Sequence, residues 1–479
     1  MSAAGETPPS AFAGRPIGPL VTREAAVDFE PVDAFGRALE AAGDLVWLDS
    51  AIGDPDRGRR STLCLELEPA VEVDRSGVAT LSFPGGRPAL RLPGTEVWSA
   101  SDALLAAESA TAAAGLGWCG YVAYEAAGLA DPGLPEPGGP DPIADADFAV
   151  LRFDRVRVAL VSDASGRRLV ATGRDAAEAE QRIARWIAAL DESTAVPAPA
   201  PLQPLEPPDG APYRDAVERT LGEIAAGRVY QACTTFPIRF ARPPSLAPHY
   251  LALRRSSPGD FGAYLRLGRL EAASSSPERF FRLDGRRVEC RPMKGTRARA
   301  AEPERDRELA RQLHDSPKDR AENVMIVDLM RNDLGRVCEI GSVEVPTLFQ
   351  VETYATVHQM TSTIRGTTRA GIGPFGLLQA TFPPGSMTGA PKIAACRLLR
   401  ALESEPRGLY AGSVGWLGYD GVAELSVVIR TLQAWDELAR WNVGGGVVWD
   451  STPDEEYREA LAKAHALERA GLVVPGSLG

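Results

Sequence analysis

Residues 410–432 read YAGSVGWLGYDGVAELSVVIRTL, and residues 441–450 read WNVGGGVVWD. Apolar and β-branched residues gather in runs at 410–417, 425–432 and 443–448, and the YDG triplet at 419–421 has the composition of a tight hairpin turn. Strands joined by hairpins pair antiparallel, whereas parallel pairing needs a long crossover between each two strands. Working outward, strand-like runs stand at 229–240 (VYQACTTFPIRF), 279–283 and 343–345. Helical patterns fall near 213–227, 302–314, 319–330, 391–403 and 454–470. The first half repeats the theme with strand-like runs at 45–48, 79–83 and 148–161, and a helix ending near Glu192. The predicted class is α+β, an antiparallel sheet flanked by helices.

A chain of 479 residues has room for about two or three units. Residues 1–28, rich in Ala, Gly and Pro, read as a flexible arm, and 29–195 as an N-terminal region. Residues 196–212 carry seven prolines and read as a semi-rigid connector. Residues 213–472 hold most of the chemistry. A formal charge of −12 opposes a protein that coats nucleic acid or anionic membrane, since either needs a basic face. No stretch approaches 18 apolar residues, and the start MSAAGETPPSAFAGRPIG lacks an export signal, so no membrane span or leader is expected. The six cysteines form no CxxC pair, which argues against a zinc ribbon or disulfide framework and fits a reducing, cytoplasmic setting.

Two helical segments carry acid pairs at spacing three, Asp319 with Glu322 and Glu456 with Glu459. Spacing three puts both acids of a pair on one face. Such pairs are commonly solvated faces. Facing each other, they would make a hard-oxygen cation site for Mg²⁺ or Mn²⁺. Histidine does not follow at the spacing a di-iron bundle needs, because 325 is Met and 462 is Ala. Gly444, Gly445 and Gly446 interrupt a strand pattern, which marks a bulge or a close approach of backbone to ligand. Arg430 stands among apolar neighbours and, if buried, needs an anion, to which Tyr410 can also donate. FPPGSMTGAPK, with Ser386 and Thr388 before a helix, suits an anion at backbone N–H groups, though a plain capping loop reads the same way. It lacks the P-loop spacing. RPMKGT holds Lys294 on a turn, and His358 in TVHQMTS reads as either a site residue or a satisfied structural histidine.

Taken in order, GRVYQACTTFPIRF, SSSPERFFRL, RPMKGTRAR, DRAENVMIVDLMRNDLGRV, VETYATVHQMTS, FPPGSMTGAPK, RGLYAGSVGWLGYDG, VVIRTL and GGGVVWDSTPDEEYREALAKA resemble the chorismate-utilising enzymes. That group includes anthranilate, aminodeoxychorismate, isochorismate and salicylate synthases. The resemblance spans at least 213–470, with LVWLDSA and GWCGYVAYEA as recognisable pieces of a more variable first half.

It implies two antiparallel β-sheets packed as a sandwich with helices outside. It also implies Mg²⁺ held by Glu322 and Glu459, assisted by Glu456 and Asp319, and bound to the ring carboxylate of chorismate. Tyr410, Arg430 and the N–H groups of Gly444, Gly445 and Gly446 would take the enolpyruvyl carboxylate. Thr388, His358 and Gln231 would complete the substrate pocket. Water-adding members resemble one another in a lysine where this chain has Gln231, and ortho-aminating members read PIAGT where this chain reads PMKGT. The resemblance therefore implies para-amination of chorismate to 4-amino-4-deoxychorismate, the precursor of p-aminobenzoate, with Lys294 as nucleophile and Glu278 as general acid. A nucleophilic lysine must be neutral, so its environment has to lower its pKa. Ammonia is expected from a separate glutamine amidotransferase subunit, because none of the four histidines stands in a recognisable arrangement with a cysteine elbow. An ortho-aminating subunit, a water-adding synthase and a silent chorismate-binding subunit are the competing readings.

Overall fold

The computed structural model describes residues 20–50, 60–84, 87–110, 116–134, 148–191, 194–354 and 357–478. Its 21 strands form one connected hydrogen-bonded network, paired antiparallel, with helices packed against it. The class is α+β, as the hairpin pattern predicts. Strand Ser413–Gly418 turns through Tyr419–Gly421 into Val422–Val427, and Gly421 takes the left-handed φ of 83° that the turn requires.

The network crosses the proline-rich connector. In the first region, Leu45–Asp49 pairs with Phe261–Leu267, and Gly117–Val122 with Ser413–Gly418. The two regions therefore share strands, and 196–212 does not separate two independent sheets. Within it, Leu202 bridges Val473 and Pro204 bridges Phe240. The expected loose arm is also shorter than 28 residues, because Val21–Ala26 is a strand paired with Gly166–Gly173. The rest of that arm, residues 1–19, lies outside the described residues.

Among the described residues three large apolar clusters hold the fold, beside a small fourth one of Val229, Ala232, Ala395 and Leu399. One joins helices Val97–Ser109, Pro317–Gly335 and Pro374–Thr381 to the sheet, and a second joins Pro31–Ala41, Ala176–Leu190, Ala247–Ser256 and Pro453–Arg469 to it. The third contains strand and loop residues and no helical ones, among them Val46, Cys119, Tyr121, Ala159, Val161, Leu265, Ala272 and Val414. Strand Leu151–Asp163 feeds all three, with Leu151 and Phe153 in the first cluster and then, by simple alternation, Val158 and Leu160 in the second and Ala159 and Val161 in the third. Cys119 is a core residue, fully buried.

Strand Gln231–Ala241 lies beside Leu438–Val447 in unbroken register, with Thr235, Thr234 and Cys233 opposite Gly444, Gly445 and Gly446. The glycine run is thus continuous ladder and not a bulge. Two further expectations change. Tyr410 lies in a turn before the strand that begins at Ser413, beside Ala411 at φ 64°. The expected strand 425–432 is broken at Arg430, whose φ is 51°.

Candidate active site

Lys294 lies on the strand Met293–Ala298, not on a turn. The pairing of this strand with Val357–Thr367 slips between Lys294 and Thr296, and Gly295 between them has φ 72°. That is a β-bulge built on a left-handed glycine, a device that re-aims a neighbouring side chain. Lys294 faces the glycine strand: a methyl group added at Gly446 would lie 3.6 Å from Lys294 Nζ and would collide with Gln231 Nε2. One residue along, a methyl at Gly445 would collide with Glu456 and lie 3.6 Å from the Tyr213 hydroxyl. The glycines therefore supply clearance on both faces of one strand.

The Gln231 amide is buried, and neither its oxygen nor its nitrogen has a hydrogen-bond partner among the described residues. Buried amides are rarely left so. A polar ligand beside Lys294 would satisfy both atoms.

Glu278 is buried near Lys294, and burial pushes its carboxyl up to about 7, despite a hydrogen bond from Ser386 and the attraction of Lys294. Between pH 4.5 and about 7 the native state keeps a proton that the unfolded chain has lost, so stability falls as pH rises through that window. Above it the cost reaches roughly 3 kcal/mol. Glu278→Gln is therefore expected to raise the melting temperature at pH 8 but not at pH 4.5, which thermal scans across pH will test. An equal shift at both pH values would count against a raised carboxyl.

Helices Pro317–Gly335 and Pro453–Arg469 bring Glu322 and Glu459 to the same cleft. Burial raises Glu322, and the neighbouring Glu459 and Asp319 add to the rise against the pull of Lys294 and Lys318. Glu322 has no hydrogen-bond or ion-pair partner among the described residues. Glu459 is exposed and held low, first by Lys463, whose Nζ is 3.0 Å away.

The assisting acids are occupied differently. Glu456 is buried and accepts a 2.6 Å hydrogen bond from Ser451. Asp319 is ion-paired to Arg297 at 2.8 Å. Among the described residues no three His, Cys, Asp or Glu side chains form a preassembled metal cluster. Two carboxylates that repel each other, one of them unpaired, still fit Mg²⁺, which commonly takes one or two protein carboxylates and completes its shell with water and substrate oxygens.

Arg430 is half-buried beside the strand Thr431–Ala434, with its carbonyl accepting from Ser275 N at 3.1 Å. Burial and the nearby Arg469 lower its pKa. It has no carboxylate partner among the described residues, so it is free for an anion. Tyr410 is buried, and its hydroxyl likewise has no partner among the described residues. Gln433 Oε1 accepts from the N–H groups of Leu409 at 2.8 Å and Tyr410 at 3.3 Å, which fixes the turn.

Two residues expected at the substrate have hydrogen-bond partners within the protein. His358 bonds Thr353 Oγ1 through Nδ1 and Asp306 through Nε2, both at 2.9 Å. The Thr388 hydroxyl closes its own loop on the carbonyls of Pro384 and Gly385.

The sequence reading missed Arg407, which is buried and ties the site together. Its guanidinium donates to Glu403, to Met387 O at 2.6 Å and to Cys233 O at 2.7 Å. Lys463 was legible as a lysine four residues after Glu459 on one helix face. A separate groove of about 1020 Å³ is lined by paired charges such as Arg279–Glu289 at 2.8 Å and Arg365–Glu289 at 2.9 Å, and the constellation around Lys294 is not part of it.

Lys294 on its bulge thus lies within electrostatic reach of the buried Glu278 carboxyl and of Glu322 and Glu459. Residues 68–469 match the chorismate binding enzyme family, and the chain belongs to that family. An aminodeoxychorismate synthase of Streptomyces pristinaespiralis is 38% identical over 94% of this chain and 65% of its own length. Aminodeoxychorismate synthase component 1 of Bacillus subtilis is 40% identical over 54% of this chain and 55% of its own. The chain thus spans about half to two thirds of the length of these relatives. Anthranilate synthase component I of Streptococcus pneumoniae superposes with a TM-score of 0.72 at 25% identity, covering 86% of this chain and 92% of that one.

Proposed function

We propose that this chain aminates chorismate at C4 to give 4-amino-4-deoxychorismate for p-aminobenzoate and folate synthesis. The observation that carries the reading is Lys294, whose amine lies near both the buried Glu278 carboxyl and the unpaired Gln231 amide. Lys294 forms a bond from Nζ to C2 while both ring double bonds shift, C1=C2 and C5=C6 becoming C1=C6 and C4=C5, and the C4–O bond breaks, Glu278 giving its proton to the departing hydroxyl as water. Ammonia then bonds C4, both double bonds shift back, and the C2–N bond breaks to release the lysine. The Glu278 carboxylate takes up the proton ammonia sheds. Two successive displacements across the conjugated diene place the ammonia nitrogen at the para position. Gln231 offers a donor and an acceptor beside C2 but no base, which disfavours addition of water there.

Arg430 and Tyr410 would bind the enolpyruvyl carboxylate, with the glycine strand giving the ring its clearance. Mg²⁺, held by Glu322 and Glu459, would supply Lewis-acid charge to the ring carboxylate. Glu278→Gln is expected to lower turnover by about 10²- to 10⁴-fold, because a neutral amide cannot give up the proton.

The name component 1 borne by a relative supports a separate amidotransferase partner that delivers ammonia, and we place the pair in the cytoplasm. Among the described residues no helix is long and apolar enough to cross a membrane. The apolar cluster without helical residues supports a sandwich of two sheet layers with helices outside.

The test is chromatographic product analysis with chorismate, Mg²⁺ and ammonium at raised pH, and again with glutamine in place of ammonium. We expect 4-amino-4-deoxychorismate with ammonium and none with glutamine for the chain alone. Anthranilate or isochorismate as the product would refute the reading, and efficient glutamine use would refute the separate partner.

A further inference from the structure

The bulge that presents Lys294 is clamped from two sides by Gln359 and Asp319. On one side Gln359, buried on the strand Val357–Thr367, donates from Nε2 to Gly295 O at 2.7 Å and accepts at Oε1 from Thr296 Oγ1 at 2.8 Å. One amide thus holds the bulge glycine and the residue after it, which its own strand cannot do where the ladder slips. On the other side Asp319 packs where a Gly295 side chain would have been, 2.8 Å from that position, and pairs with Arg297 at 2.8 Å. Asp319 sits in the first turn of helix Pro317–Gly335, its N–H capped by Ser316 Oγ. Three residues later the same helix carries Glu322.

We propose that Gln359 and Asp319 are positioning residues, which fix the Gly295 bulge so that the Lys294 amine is held at the same distance from the glycine strand and from Glu322. Gln359 sets the bulge against the sheet, and Asp319 sets it against the helix of Glu322. The proposal rests on Lys294 being the working amine for its effect on turnover, but its effect on the placement of that amine is independent of the reaction.

Gln359→Met keeps the volume and removes both hydrogen bonds. In the full chain, the rate at which Nζ of Lys294 is acetylated by an amine-reactive ester is read by peptide mass spectrometry and normalised to Lys318. We expect this rate to change at least about threefold in Gln359→Met and in Asp319→Asn, with the circular dichroism spectrum unchanged. Gln359→Met should lower kcat about tenfold or more while KM for chorismate stays within about twofold, because binding groups are untouched. Gln359→Glu keeps the Thr296 bond and loses the Gly295 bond, and should fall between. Unchanged Lys294 acetylation in both Gln359→Met and Asp319→Asn overturns the proposal, whatever happens to turnover. Should Gln359→Met fail to fold, Gln359→Glu and Asp319→Asn carry the same comparison. A changed acetylation rate beside full para-amination by Lys294→Ala would sink the assigned reaction and leave the clamp standing.

Discussion

Lys294→Ala is expected to lower formation of the 4-amino product by at least about 10³-fold, the scale of losing a covalent nucleophile and not merely a binding contact. The substitution leaves Glu322, Glu459, Arg430 and Tyr410 in place, so chorismate should still bind with a dissociation constant within about threefold of wild type. It also opens the space 3.6 Å from the Gly446 methyl position, where ammonia can approach C2 directly. A trace of ortho-aminated product is the expected result, seen by chromatography against both amines as standards. Rapid quench of the wild type should leave an adduct on the peptide that contains Lys294. Undiminished para-amination by the alanine variant would refute the nucleophile, and loss of chorismate binding with loss of product would make Lys294 a binding residue.

The antiparallel class was legible because hairpin turns and apolar runs are local: YDG at 419–421 is a turn in the structure and the strands flank it. The acid pairs were legible because helical spacing fixes which side chains share a face. What the sequence did not disclose is how the backbone bends between regular elements. A glycine with positive φ serves turns and bulges alike, so PMKGT read as a turn although Gly295 makes a bulge within a strand. Glycines usually signal a bulge inside a strand, yet Gly444–Gly446 keep register and are small for the sake of their neighbours Thr235, Glu456 and Gln231. Arg430 and Ala411 adopt left-handed backbone that no propensity foretells, and this moves Arg430 and Tyr410 from strands to their edges. Asp319 and His358 were plausible ligands by type, but their partners Arg297 and Asp306 stand 22 and 52 residues away in sequence. Only the tertiary fold decides which polar residue is already satisfied.

Glu322→Gln and Glu459→Gln are each expected to abolish Mg²⁺-dependent turnover, by about 10²-fold or more, without unfolding the chain. The two should differ in their other effects. Burial and like charge raise Glu322, so its removal relieves a cost, and Glu322→Gln should match or exceed the wild-type melting temperature in the absence of metal. Glu459 is exposed and paired to Lys463, a contact worth little in solvent, so Glu459→Gln should leave the metal-free melting temperature within about 2 °C. With Mg²⁺ and chorismate present, the wild type should gain stability by mass action, and both variants should lose most of that gain. Calorimetric titration of Mg²⁺ in the presence of chorismate reads the same difference without reference to turnover. Neither acid alone makes a site, since among the described residues no three ligating side chains converge. Weak Mg²⁺ binding without chorismate and tighter binding with it is therefore the expected order. Wild-type Mg²⁺ affinity in both variants would remove the metal from this cleft, whereas loss in Glu322→Gln alone would assign Glu459 to electrostatic support.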